Sequence, residues 1–297
     1  MSDTKRSKSL VERLAEKRTG GEPAMSSDAS DNSHTAGLSP ASASHDHAGA
    51  SGKGRHTAKI DLRRLRSKGF VTPEGGRSKI VEEFRAIKRP LLRKALEDDQ
   101  QARSHVIMVG SAKPGEGKTF CSINLAMSIA SEKGLNVLLV DGDVIKADVP
   151  DVLGFKAKKG FLDLLTDPEM DMQDILVRTN IPNLTILPSG KSQDQATELL
   201  AGPGMANLMS DIATRYSDRV IIINAPPVLA SSEAAVLASH AGQVVMVVEA
   251  DKTGRADVQL ALEQFDDLEK VSFVLNKVTD RRIADRYGAY SYYGRKK

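Results

Sequence analysis

The 297-residue chain has no tryptophan, seven phenylalanines, five tyrosines and a single cysteine. One thiol, Cys121, excludes an internal disulfide framework and suits a reducing compartment. Long apolar runs are also missing. The opening MSDTKRSKSL lacks the apolar core of a signal peptide. Runs such as VIIINAPPVLA fall far short of the ~20 residues that a spanning helix needs. The expectation is a cytoplasmic protein that meets a membrane peripherally or through a partner. Charge of one sign is scarce as well: 42 Lys and Arg oppose 39 Asp and Glu, a net +3. That is too weak to argue for a nucleic-acid partner.

Against this scarcity the tyrosines are unevenly placed. Tyr287, Tyr290, Tyr292 and Tyr293 fall in the closing RYGAYSYYGRKK, and Tyr216 lies apart.

Composition divides the chain into five stretches. Residues 1–19 contain SLVERLAEKR, a short amphipathic segment with Leu10, Val11, Leu14 and Ala15 on one helical face. It is too short to be a stable helix alone. Residues 20–58 are Ser, Ala, Gly, Asp and His with almost no large apolar side chain, and read as a disordered linker. Four of the six histidines lie there, which in such a tract points to solvation rather than to a metal site. Residues 59–104 form a helical segment. Ile80, Phe84, Ile87 and Leu91 make its apolar stripe, and Pro90 is expected to kink or break the helix near Arg89. Glu82, Arg85 and Lys88 follow at helical spacing as an ion-paired face. Residues 105–280 alternate continuous apolar runs (HVIMVG, LNVLLVDGD, NLTILPSG, RVIIINAPP, QVVMVVEA, VSFVLNKV) with helix-like stretches. That pattern predicts an α/β fold with a mostly parallel sheet covered by helices on both faces. Residues 281–297 are the tyrosine-rich tail.

The first apolar run enters GSAKPGEGKTF. The spacing A-x-x-x-x-G-K-T from Ala112 to Thr119 is a Walker A loop with alanine at its first position. Lys113, Pro114, Gly115, Glu116, Gly117, Lys118, Thr119 and Phe120 are therefore candidate nucleotide-binding residues. The glycines let backbone N–H groups turn inward around phosphate oxygens, and the following helix points its positive end at the same place. Lys118 can reach the β- and γ-phosphates, and Thr119 can hold Mg²⁺. Lys113, five residues earlier, matches the second lysine of the deviant Walker A subclass, although an exposed loop lysine would look the same.

The second run ends in Asp141-Gly-Asp143. Carboxylates at the carboxyl end of a buried strand, beside a phosphate loop, suit Mg²⁺ binding or proton acceptance from an attacking hydroxyl. The run RVIIINAPP resembles a Walker B strand with Asn224 in place of the usual acid. An amide can hydrogen-bond a metal-bound water through its carbonyl. It adds no charge and cannot act as a base, so metal affinity or turnover should fall. The last run ends in Asn276-Lys277. Thr279 stands where a guanine-reading aspartate would be needed, so Asn276 is instead a candidate for contacting adenine.

Together, AKPGEGKT, VLLVDGD, INAPPVLASSEA and the terminal tyrosines resemble the bacterial tyrosine kinases of capsule and exopolysaccharide loci. The likeness covers roughly residues 60–297. IDLRRL…TPEG, VEEFRAIKRPLL and SLVERLAEK are similar to the branch that accompanies exosortase-linked loci. The Walker elements alone would say only ParA/MinD-like ATPase. The resemblance implies a P-loop domain using ATP and Mg²⁺, with Lys118, Asp141 and Asp143 catalytic. Thr119, Asp141 and, through water, Asn224 would place the metal. It implies autophosphorylation in trans of Tyr287, Tyr290, Tyr292 and Tyr293. Glu82, Arg85 and Lys88 match a ring-assembly motif E-x-x-R-x-x-R, with lysine at the last position. The implied partners are further copies of the chain in a ring, a separate membrane adaptor of the chain-length-determinant kind, and a cognate tyrosine phosphatase. The implied role is control of exopolysaccharide synthesis or export. Two other readings stay open: a ParA/MinD-like ATPase switch, and a weakly catalytic nucleotide-binding scaffold.

Overall fold

The computed structural model describes residues 56–97, 103–167, 169–190 and 196–279. The N-terminal amphipathic segment, most of the proposed linker and the tyrosine tail lie outside them.

Among the described residues the backbone forms one eight-stranded sheet. In chain order its strands are β1 (Thr57–Ala58), β2 (Val106–Ser111), β3 (Val137–Asp141), β4 (Val177–Thr179), β5 (Leu184–Leu187), β6 (Val220–Pro227), β7 (Gln243–Glu249) and β8 (Val271–Asn276). Their spatial order is β1-β4-β5-β3-β6-β2-β7-β8. Every pairing is parallel except β4 with β5. The six apolar runs of the sequence are thus six of the strands. The two additional strands are two or three residues long and lie toward one edge. One corrects an expectation: Thr57 and Ala58, assigned by composition to the linker, pair with Arg178 and Thr179.

The central strands are buried on both faces, and alternate residues feed two separate cores. In β2, Ile107 and Val109 enter one cluster, and Val106 and Met108 the other. In β6, Val220 and Ile222 oppose Ile221 and Ile223 in the same way. Each such side chain contributes about 1.5–3 kcal/mol of burial, which is why these runs carry no polar alternation.

The helices that matter for the site are α1 (Leu62–Ser67), α2 (Lys79–Glu97), α3 (Lys118–Ala130) and α4 (Val149–Leu153). They are followed by α5 (Phe161–Thr166), α6 (Met172–Ile175), α7 (Ala196–Ala201), α8 (Pro203–Arg215), α9 (Glu233–Ser239) and α10 (Arg255–Leu262). The segment 59–97 is part of the domain's own core. Ile60, Leu65, Phe70, Val71, Phe84 and Leu91 share a cluster with α3 and the sheet. Pro90 does not break α2, which runs through it to Glu97. A proline inside a helix costs ~3 kcal/mol. Phe84, Leu91 and Ala95, each about 5% exposed, anchor one face of the helix on both sides of it. Their burial outweighs the lost hydrogen bond.

Candidate active site

The phosphate loop, residues 112–117, joins β2 to α3. Its conformation depends on two glycines with positive φ, Gly115 at 86° and Gly117 at 102°. At Gly117 a Cβ would lie 2.1 Å from the Asn276 amide nitrogen, so a side chain there would displace Asn276 as well as strain the left-handed backbone. The end of β8 braces the loop from outside. The Asn276 amide donates to the Glu116 carbonyl at 2.8 Å, and the Lys277 ammonium to the Gly115 carbonyl at 2.7 Å. In a trans peptide the N–H points away from the preceding carbonyl. The N–H groups of Glu116 and Gly117 are thereby turned to the side opposite β8, as a phosphate cradle requires. Glu116 is buried and also braces the loop. Its carboxylate accepts the Lys113 N–H at 2.7 Å and the Thr253 hydroxyl. Pro114 and Gly115 are exposed. The Phe120 ring packs on Phe70 (centroids 4.9 Å apart) and Phe84 (6.2 Å), so its side chain serves the helix interface. Asn276, expected near adenine, spends its amide on the loop backbone.

Lys118 begins α3 and is 5% exposed, with its ammonium 3.7 Å from Asp143. Burial lowers its pKa, against the opposing pull of Asp143. Asp143 is raised by burial in spite of Lys118 and of the Lys146 N–H that donates to it at 3.2 Å. Asp141 is fully buried, and burial pushes its carboxyl up to about 7. Two donors partly oppose this, the Asn224 amide at 3.0 Å and the Val149 N–H at 3.3 Å.

Asn224 is the register partner of Asp141 across the β3–β6 ladder. Its amide nitrogen holds Asp141, and its carbonyl accepts the Ser122 hydroxyl at 3.2 Å. Ser122, one turn after Lys118, also donates to the Lys118 carbonyl at 2.9 Å. The Walker B position therefore ties the two strands and α3 together through Ser122, a residue that sequence reading missed. Thr119 donates to Asp148 at 2.9 Å, and Asp148 also pairs with Lys146 at 2.7 Å. Asp148 was missed too. The signal was there, a third acid in DGDVIKADV.

Among the described residues no group of three or more His, Cys, Asp or Glu could hold a metal by itself. The donors present still fit Mg²⁺ in the manner of nucleotide sites, where one or two carboxylates act with phosphate oxygens and water. The Thr119 hydroxyl, Asp141 and Asp148 are hard oxygen donors. A dication would also favour the ionised form of Asp141, which burial disfavours.

On α2, Glu82 and Arg85 pair at 2.5 Å on a partly exposed face. Lys88 does not join them. It is 5% exposed, donates to the Ser128 carbonyl at 2.7 Å near the end of α3, and pairs with Glu132 at 2.6 Å. Its ammonium is thus engaged inside its own domain. Lys113 pairs with Asp257 of α10 at 2.6 Å. The four terminal tyrosines lie outside the described residues.

The family model that matches is described as an AAA domain and covers residues 104–278. Tyrosine-protein kinase CpsD of Streptococcus agalactiae is 32% identical, over 64% of this chain and 82% of CpsD. The chain belongs to the bacterial tyrosine kinases. EpsB of Ralstonia nicotianae is also 32% identical, over 72% of this chain. The chain spans only 28% of EpsB's length. The solved kinase domain of VpsO matches at 29% identity with a TM-score of 0.54, covering 65% of this chain and 98% of that one. The α/β architecture expected from the sequence is thus the architecture of this family. No helix among the described residues is long and apolar enough to cross a membrane.

Proposed function

We propose that the chain is an ATP- and Mg²⁺-dependent protein-tyrosine autokinase that phosphorylates Tyr287, Tyr290, Tyr292 and Tyr293 in trans. One observation carries the reading. A braced phosphate loop and its lysine converge with two buried carboxylates, in a chain whose tyrosines gather at one end. Phosphoryl transfer asks for positioning and charge neutralisation more than for covalent chemistry by the protein. The cradle and Lys118 would hold the phosphates. Thr119, Asp141 and Asp148 would place Mg²⁺, which neutralises charge on the transferring group. Asp141 or Asp143 would receive the phenolic proton.

The tail makes a regulatory substrate. Residues 281–297 carry six cations against Asp285 alone. Each phosphotyrosine adds about −1.5 to −2 charge, so four would reverse the sign. Loss of complementarity would loosen a ring of copies that bind one another's tails. By analogy with the family, the ring would work with a membrane adaptor, be reset by a phosphatase and regulate exopolysaccharide export from the cytoplasmic side.

Intact mass after incubation with Mg-ATP tests this. Phosphate increments on the tail are expected, and they should vanish with all four tyrosines changed to Phe. Phosphate release without modification would favour an ATPase switch. Nucleotide binding with neither outcome would leave a scaffold.

A further inference from the structure

A slot of about 200 Å³ opens beside the phosphate site. Two loops wall it, the one that follows Asp143 and the turn after β5. Ala147, Pro150, Ala157 and Pro188 supply its apolar surface, Ser189 and Gly190 add a polar stretch of about equal extent, and Asp151 and Lys156 set one charge of each sign at it. The inner wall is shared with the candidate active site. Ala147 and Pro150 bracket Asp148 and Val149. Those two residues accept from the Thr119 hydroxyl (2.9 Å) and donate to Asp141 (3.3 Å). The Ala147 N–H donates to the Asp143 carbonyl at 2.6 Å. A group in the slot therefore lies one loop's thickness from both carboxylates.

The slot is held in shape by contacts that owe nothing to a ligand. Arg64 of α1 donates to the Asp151 and Val152 carbonyls at 3.3 and 2.8 Å, fixing the helix that carries Asp151. On the other side the Phe161 N–H donates to the Pro188 carbonyl at 2.7 Å. Gly160 makes that approach possible, because a Cβ there would lie 2.2 Å from the same oxygen.

We propose that this slot is the acceptor subsite, resting on the kinase reading above. It takes the phenol ring between its proline and alanine surfaces, and Asp151 and Lys156 read the charges beside the ring. Small apolar walls with two proline rings suit an aromatic side chain. The adjacent pair of opposite charges suits a zwitterionic stretch of peptide. In the terminal cluster, Tyr287 is directly preceded by such a stretch, Asp285-Arg286. The slot thus selects Tyr287, with Arg286 on Asp151 and Asp285 on Lys156. In the transfer, the Tyr287 phenolic oxygen forms the new bond to the γ-phosphorus and the bond to the departing ADP oxygen breaks. The loop separates the slot from both carboxylates, so the phenolic proton passes to Asp141 or Asp143 through one bridging water.

A charge swap tests it, with the full chain as enzyme and a peptide of the last fifteen residues as acceptor, Tyr287 being the one tyrosine retained. Asp151→Lys should raise the peptide KM about tenfold or more, with the change in KM rather than kcat. The Arg286→Glu peptide should restore most of it. Lys156→Glu with an Asp285→Lys peptide is a second, independent pair should the first variant fold poorly. A KM that ignores both swaps overturns the slot and leaves the kinase standing. No transfer by the unsubstituted chain to any peptide or to its own tail overturns the kinase reading and the slot with it.

Discussion

Lys113 and Lys118 stand on one loop, and each faces an aspartate. Lys113 meets Asp257 at 2.6 Å with 51% of its side chain in solvent. Lys118 stands 3.7 Å from Asp143, with the two side chains 6% and 2% exposed. In the first pair the lysine holds the Asp257 carboxyl below its usual value. In the second the carboxyl rises although a lysine faces it, because burial outweighs attraction. The same two residue types thus make a surface strap in one place and a desolvated pair with a raised carboxyl in the other. Desolvation decides which, since removing an ion from water costs more than one imperfect pair returns.

The comparison breaks most sharply at Lys118. Lys118→Met removes the cation placed for the β- and γ-phosphates and leaves Asp143 buried beside an apolar chain. Tail phosphorylation, followed by intact mass, should fall about a hundredfold or more. An unaffected variant would reject the assigned site.

Asn224→Asp is the next largest. It sets a second carboxyl against Asp141, which Asn224 now holds at 3.0 Å. Like charges buried together are costly, so the variant should lose about 2 kcal/mol or more in urea melts near pH 8. Mg²⁺ with nucleotide should recover much of that loss. A variant equally stable with and without Mg²⁺ would show that the metal does not meet this pair of strands.

Much of this arrangement was legible in the sequence for a physical reason. A nucleotide site on a parallel sheet is built at strand ends, where a glycine loop and a D-G-D turn stand out locally. Five of the six strands read as apolar runs were legible because burial on both faces removes polar alternation, while the edge strand β8 is as apolar in sequence yet leaves Phe273 and Leu275 half exposed. What escaped was either too short or cooperative over long range. Strands β1 and β4 are too short to show a period. Pro90 was read by its local cost, and the packing that overrides it comes from elsewhere in the fold. Lys88 looked like the third member of a surface triad until its ammonium met Ser128 and Glu132 across a helix interface. Asn224 was read only for a water-mediated role at the metal, and its contacts to Asp141 and Ser122, which come from strand register and a helix turn, had no local signal.

Acidity sharpens the comparison without a change to Lys118. The Asp141 carboxyl sits at about 7 in the fold against 3.8 when exposed. A carboxyl with a raised folded value binds its proton more readily in the native state. On its account stability rises as pH falls through about 7 and levels off below the exposed value. Asp143 is shifted in the same direction. His105, lowered mainly by burial, works the other way, so the measurement is a difference between proteins. Between pH 8 and 5.5 the unsubstituted chain should gain on the order of 2 kcal/mol over Asp141→Asn in urea melts. Equal slopes would mean that Asp141 is ionised in the fold.

The smallest effect is expected at the exposed pair. Asp257→Asn cuts the strap from Lys113 to α10 and leaves the loop bonded to Asn276 and Lys277. The ion pair is open to water, so its attraction is screened and its side chains give up entropy to meet. The melting temperature should move by no more than about two degrees, and even that difference should fade in high salt. A drop as large as that of Asn224→Asp would make the strap a structural element of the phosphate loop. Desolvation would then no longer separate the two lysines.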